Sequence, residues 1–389
     1  MKIVSIEPTP SPNSMKINLS ESLPKGKKYA FTKEEMDQAP EHLRKLLAIE
    51  GVKSVFHAAD FIALDRMPKY NWQQILAEAR EALGEHTSPE GQKKGGNDNA
   101  DSAAAKETYG EVKVLVQHFR GIPIQVRVSN EQEELRAALP ERFNQAIMKA
   151  TENHPYLIKE RRLEELGVRY GELQDILDEV VQELDASYDD ERLSALVQQA
   201  VSGTPEDFSG ERNVRPRKRL SPEEIARQLD DPDWKKRYAA LEQIDPSPET
   251  LPLLVKALQD ENTSIRRLAT VYLGDIKKPE VLPYLFQALR DENASVRRTA
   301  GDTLSDLGDP AAIGPMCEAL KDKNKLVRWR AARFLYEVGD ESAVSALRAA
   351  QNDPEFEVRM QVNMALERIE GGHAAEGSVW QQMTRRNKE

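Results

Sequence analysis

The chain has 389 residues, 39 % hydrophobic and 31 % charged, with a formal net charge of −11, a single cysteine and no apolar run near the roughly 20 residues that span a bilayer. Its length predicts two or three domains; one cysteine excludes an intrachain disulfide, and Ser5, Glu7 and Pro8 interrupt any signal-peptide core, so a cytoplasmic protein with no membrane partner is expected. Acidic residues outnumber basic ones by 22 to 12 over residues 106–211 and by 29 to 24 over 221–389, so nucleic acid is not expected as a general partner.

In chain order, residues 1–84 read as a small α/β domain. The strand-like runs IVSI and MKINL flank Pro8, Pro10 and Pro12. Each proline fixes φ and disfavours helix at the residue before it, so this stretch is stiff and extended. Two readings fit it: a rigid connection that orders two strands, or a pre-ordered docking edge made by Pro10, Pro12 and Lys16. APEHLRKLLAI places Leu43, Leu46, Leu47 and Ile49 on one side of a helix that Gly51 stops. Val52–Phe56 and Phe61–Leu64 read as a hairpin, and Asn71 caps a last helix with a buried stripe of Trp72, Ile75, Leu76, Ala79 and Leu83. Residues 85–105 are rich in Gly, Ser, Asn, Asp and Lys without apolar periodicity, as in a flexible linker.

Residues 106–202 read as an acidic, mostly helical α+β domain. Val112, Val114 and Val116, then Ile122, Ile124, Val126 and Val128, alternate with polar residues about an Arg120–Gly121 turn, which predicts a second hairpin. Helices are expected in EQEELRAALPERFNQAIMKAT, YLIKERRLEELG, GELQDILDEVVQELD and DDERLSALVQQAV. Residues 203–220 read as a linker whose basic run, RNVRPRKRL, suits either a solvated segment against the acidic domain or an acidic partner.

Residues 221–370 are a repeat array, followed by a polar tail at 371–389. Asp260, Asp291, Asp322 and Asp353 recur every 31 residues, as do Arg266, Arg297, Arg328 and Arg359, and Asp231 and Arg237 form an earlier pair 29 residues before. Such regular spacing predicts an α-solenoid of helix pairs. Ile265, Leu268, Ala269, Tyr272, Leu273 and Ile276 make the core face of one second helix. Each Asp is expected to cap that helix and each Arg to reach the neighbouring Asp, giving a structural ladder. The residues beside the ladder vary between copies (Arg267, Arg298 and Trp329, with Arg333 one turn on), so this row is the candidate partner surface, with Trp329 at least partly exposed.

These repeats resemble HEAT repeats of the short type also found in phycobilin lyases. Over residues 1–84, EPTPSPNSMK, LLAIEGVKSVFHAADFIAL and the tryptophan-led helix resemble the N-terminal domain of Nfu/NifU-type iron–sulfur scaffold proteins. The whole combination, a multidomain α+β chain ending in a HEAT-like array, resembles the conserved virulence factor C family of Gram-positive bacteria. That resemblance implies an influence on virulence-factor production. In the Nfu family a CxxC pair in a separate domain holds the cluster; here Cys317 stands alone, so no cofactor is expected. His42, His57, His86, His118, His154 and His373 lack metal-site spacing, and no nucleophile-elbow or phosphate-loop motif occurs. The carboxylates around Glu183–Glu191 read as solvated helix faces. The expectation is a non-enzymatic adaptor that takes protein partners through its repeats. The alternative is an accessory of iron–sulfur assembly that meets a pathway protein through residues 1–84 without holding a cluster; a phycobilin-lyase-type enzyme ranks behind both.

Overall fold

The computed structural model describes residues 2–9, 13–24, 26–67, 70–83, 111–130, 133–152, 160–203 and 220–373. Pro10, Pro12, the 85–105 linker, the basic run up to Arg219, His86 and His154 lie outside them. The chain divides into two units, Met1–Tyr109 with Asn352–Gln361, and Gly110–Gln351 with Val362–Glu389.

In the first unit β1 (Ile3–Pro8), β2 (Ser14–Leu19), β3 (Lys28–Thr32), β4 (Val52–Ala58) and β5 (Phe61–Arg66) form an antiparallel sheet in the order β1-β2-β5-β4-β3. Strands β1 and β2 pair directly, and Thr9 Oγ1 donates to the Ser14 carbonyl at 3.1 Å where the two strands meet. Helices α1 (Glu41–Ala48) and α2 (Trp72–Ala82) cover one face of the sheet. Alternation along β2 and β5 sends Met15, Ile17, Ile62 and Leu64 into this core, where Leu43, Leu46, Leu47, Trp72 and Ile75 meet them. Asn71 caps α2 by accepting from the Gln73 N–H at 2.7 Å. Arg66, 2 % exposed, lies over the Trp72 ring and donates to Asn13 and the Tyr70 carbonyl.

The second unit begins with β6 (Glu111–Phe119), β7 (Ile122–Ser129), β8 (Glu134–Ala138) and β9 (Arg161–Tyr170), ordered β8-β7-β6-β9, and with α3 (Glu141–Thr151), α4 (Leu173–Ser187) and α5 (Asp190–Ser202). The β6–β7 hairpin turns at Arg120–Gly121, both with positive φ. Two expected helices change here. Pro140 divides the first, so 134–138 pairs with β7 as β8 before α3 starts at Glu141. Residues 161–167 of the second are strand, because β6 offers a free edge and β9 completes its ladder from Glu111↔Tyr170 to Phe119↔Arg161.

The array follows as helix pairs: α6 (Pro222–Gln228) with α7 (Trp234–Leu241), α8 (Leu251–Ala257) with α9 (Thr263–Ile276), α10 (Leu282–Ala288) with α11 (Ala294–Leu307), and α12 (Ile313–Ala319) with α13 (Lys325–Val338); α14 (Val344–Ala349) comes next, and α15 (Phe356–Glu370) belongs to the first unit up to Gln361. Ile265, Ala269, Leu273 and Ile276 are buried as the periodicity requires, and Leu268 and Tyr272 are half-buried. Helices α9 and α11 approach so closely that a Cβ on Gly274 would sit 2.4 Å from Thr303 Cγ2.

Candidate functional site

The ladder is a repeated bidentate pair between consecutive helix pairs. Arg237 donates to Asp260 from Nε at 2.7 Å, Arg266 to Asp291 at 2.8 Å and Arg297 to Asp322 at 2.6 Å, each with a second bond from Nη2 to the other carboxylate oxygen. Nη1 of each, and of Arg328, donates at 2.9 Å to the carbonyl of its own repeat's Asp231, Asp260, Asp291 or Asp322. Arg359 donates likewise to the Asp353 carbonyl at 2.6 Å. The expected capping role moves by two residues. Asp233, Asn262, Asn293 and Asn324 are the N-caps, while Asp231, Asp260, Asp291 and Asp322 accept the backbone N–H of those caps and so brace the turn. The ladder carboxylate stands two residues before the cap position and is bonded to the cap's own N–H, so the side chain two residues on satisfies the helix start.

The row beside the ladder does not face an open surface. Trp329, expected to be partly exposed, is 1 % exposed, with the Arg298 and Arg330 guanidiniums 5.5 and 5.2 Å from its ring centre. Arg298 also stacks 4.0 Å above the Tyr170 ring at the end of β9 and donates to Asp302 and to the Leu326 carbonyl. Arg333 is buried against Glu337 at 2.7 Å. Arg267 donates at 2.9 Å to Glu183 of α4, which Arg169 of β9 also engages at 2.5 Å. Beside it, Asp185 accepts from Arg142 at 2.7 Å and from Lys235 of α7. Arg267 and Arg298 of the row therefore engage the chain's own middle segment, while Trp329 and Arg333 are buried among residues of the array itself.

Glu183 departs from the solvated carboxylate its sequence context suggests: it is 5 % exposed. Burial alone would push its carboxyl up, but Arg267 and Arg169 reverse this and hold it at about 2. Burial likewise opposes the Arg267 charge, and Glu183 and Glu179 overcome it and raise that group. Tyr238 beside them is pushed up by burial and by Glu183. Nothing in the local sequence marks Glu183, because its meaning depends on an arginine 84 residues away.

The Nfu-type resemblance raises an iron–sulfur cluster. Cys317, the single cysteine, is 9 % exposed on α12, and burial pushes its thiol up, away from the thiolate that ligates iron. Among the described residues no three His, Cys, Asp or Glu side chains gather as a metal site. This donor set does not fit a cluster. His42 Nε2 and His57 Nδ1 lie 3.1 Å apart, and burial lowers both imidazoles, so this pair is locally bonded.

Open surfaces remain among the described residues. On the uncovered face of the first sheet, Lys16 Nζ lies 5.5 Å above the Phe61 ring and Phe56 is 37 % exposed. On the array, adjoining grooves of about 550 and 400 Å³ run between successive helix pairs and share Phe286, Arg290, Asp291 and Glu292. The ladder residues Arg266 and Arg297 line them. Among the described residues no helix is long and apolar enough to cross a membrane.

Three family models match the chain: the scaffold protein Nfu/NifU N terminus over residues 4–90, a virulence factor model over 117–197, and HEAT repeats over 222–301 and 282–367. YpgR of Bacillus subtilis is 54 % identical over 388 residues, covering 100 % of this chain and 99 % of that protein. Conserved virulence factor C of Staphylococcus aureus is 46 % identical over 388 residues, covering 99 % of this chain and 100 % of that protein. Among solved structures, the Staphylococcus aureus protein SAV1430 is 41 % identical with a TM-score of 0.20, covering 21 % of this chain and 98 % of that one.

Proposed function

We propose that this chain, which belongs to the conserved virulence factor C family, is a non-enzymatic cytoplasmic adaptor whose array takes a protein partner along its grooves. The observation that carries this reading is the adjoining groove pair. The ladder pairs its walls before any partner arrives, so binding there loses little ordering entropy. Phe286 supplies an apolar anchor and Arg290 a charged one, a combination enriched where interfaces hold most tightly. Arg267 and Arg298 of the inner row then have a structural use: they fasten the acidic middle segment to the array. The relatives' name is the ground for placing the role in virulence-factor production. The test is affinity purification of the intact protein from its native cell, with Phe286→Ala plus Arg290→Glu beside it. A partner lost from a variant that melts as the wild type does supports the groove; the same partners on both refute it.

A second reading has its own support in the Nfu/NifU N-terminal match and the uncovered Phe56–Phe61–Lys16 face. There the chain serves iron–sulfur assembly by docking a carrier through residues 1–84. Recovery of sulfur-mobilising proteins that Phe56→Ser with Lys16→Glu abolishes would favour this reading over the groove.

A further inference from the structure

Strand β9 is the edge of the second sheet, and among the described residues no strand lies beyond it. It is ten residues long and none of its residues is buried. Its pattern is inverted for a strand on a core. Opposite the buried Val116, Val114 and Val112 it places Glu164, Gly167 and Arg169, while Leu163 and Val168 pair with Gln117 and Lys113 on the other face. Leu163, Leu166 and Val168 are 47, 48 and 51 % exposed. Beyond Glu165 a register shift opposite Val114 and Leu115, with Gly167 at positive φ, bulges the strand and blunts the edge, so the regular stretch that can take another strand is Arg161–Glu165, with Leu163 exposed on it.

The sequence of the edge specifies which strand. Residues 161–165 read Arg-Arg-Leu-Glu-Glu. Placed antiparallel to itself about Leu163, this stretch sets Arg161 opposite Glu165 and Arg162 opposite Glu164 of a second copy, with the two Leu163 side chains facing. Every charge meets its opposite on both faces, and the two leucines meet beside the half-buried Leu115. A parallel pairing in register would stack like charges instead. The pattern is self-complementary under a two-fold axis, which is the requirement for an isologous interface. Glu165 pairs sideways with Lys113 of β6 and Glu164 only lies 3.4 Å from His118, which leaves the two acids 49 and 67 % exposed. We propose that the β9 edge pairs with the β9 edge of a second copy of this chain, joining two four-stranded sheets into one of eight.

The test is the mass of the full chain in solution by light scattering. A particle of twice 43.9 kDa that dissociates on dilution is expected. Arg161→Glu with Arg162→Glu places like charges across the axis and should raise the dissociation constant by about 100-fold or more. Glu164→Arg with Glu165→Arg should do the same, and mixing these two monomeric variants should restore a dimer of one each. A wild type that is monomeric up to about 100 µM, far above a micromolar constant, overturns the proposal. So do variants as dimeric as the wild type, or folded variants whose mixture stays monomeric. Should the charge variants fail to fold, Leu163→Cys in the otherwise native chain decides the matter. Mild oxidation should give a disulfide-linked dimer that Val201→Cys, equally exposed on α5, does not give. Equal cross-linking of the two, or none, rejects the edge pairing.

Discussion

Replacing Glu183 by glutamine tests whether the array holds the middle segment through one buried carboxylate. Glu183 lies between Arg169 at 2.5 Å and Arg267 at 2.9 Å, and is 5 % exposed. The drop of its carboxyl from an ordinary 4.5 to about 2 corresponds to about 3 kcal/mol of native stability at neutral pH. Glu179, 3.3 Å from Arg169 and 3.9 Å from Arg267, stays beside both guanidiniums after the substitution, so the expected loss is about 3 kcal/mol at most. For a unit of this size that lowers Tm by about 6–10 °C. The sign of the pH dependence follows from the depressed native value. The contribution is complete above the unfolded value of 4.5 and is lost as pH falls toward about 2. The difference in Tm between wild type and Glu183→Gln, measured by circular dichroism, should therefore be constant from neutral pH to about 5 and shrink below it. A variant that melts with the wild type, or a difference that does not change down to the acid limit, would refute the reasoning.

Arg297→Ala removes a bidentate bond to Asp322 and a bond to the Asp291 carbonyl, so the array should lose about 1–3 kcal/mol. An unchanged melting curve with capture abolished would sink the structural reading of the ladder. Trp329→Ala empties a fully buried indole site between Arg298 and Arg330 and should cost about 3–5 kcal/mol. A stable variant with a selective binding defect would show instead that the indole is an accessible contact.

Local signals in the sequence carried much of the architecture. The 31-residue recurrence of Asp and Arg marks the array because each repeat solves the same packing problem with the same pair. Asn71, the Arg120–Gly121 turn and the alternating valines of β6 state their conformations within a few residues. The short β3 run, KYAFT, went unread because its half-exposed pattern gains meaning only beside β4.

Tertiary contacts decided the rest. YLIKERRLEELG spaces leucines and opposite charges as a helix would, and only the free edge of β6 makes residues 161–170 a strand. Glu183 looks like any carboxylate of an acidic helix until Arg169 and Arg267 close on it. Trp329 follows the arginines of earlier copies in position, yet burial depends on what covers a helix face, not on its phase along the helix. Periodicity identifies the face of a helix. Which distant segment covers that face is settled by chain topology, and here Glu183 and Tyr170 of the middle domain met Arg267 and Arg298 of the row that local sequence had left for a partner.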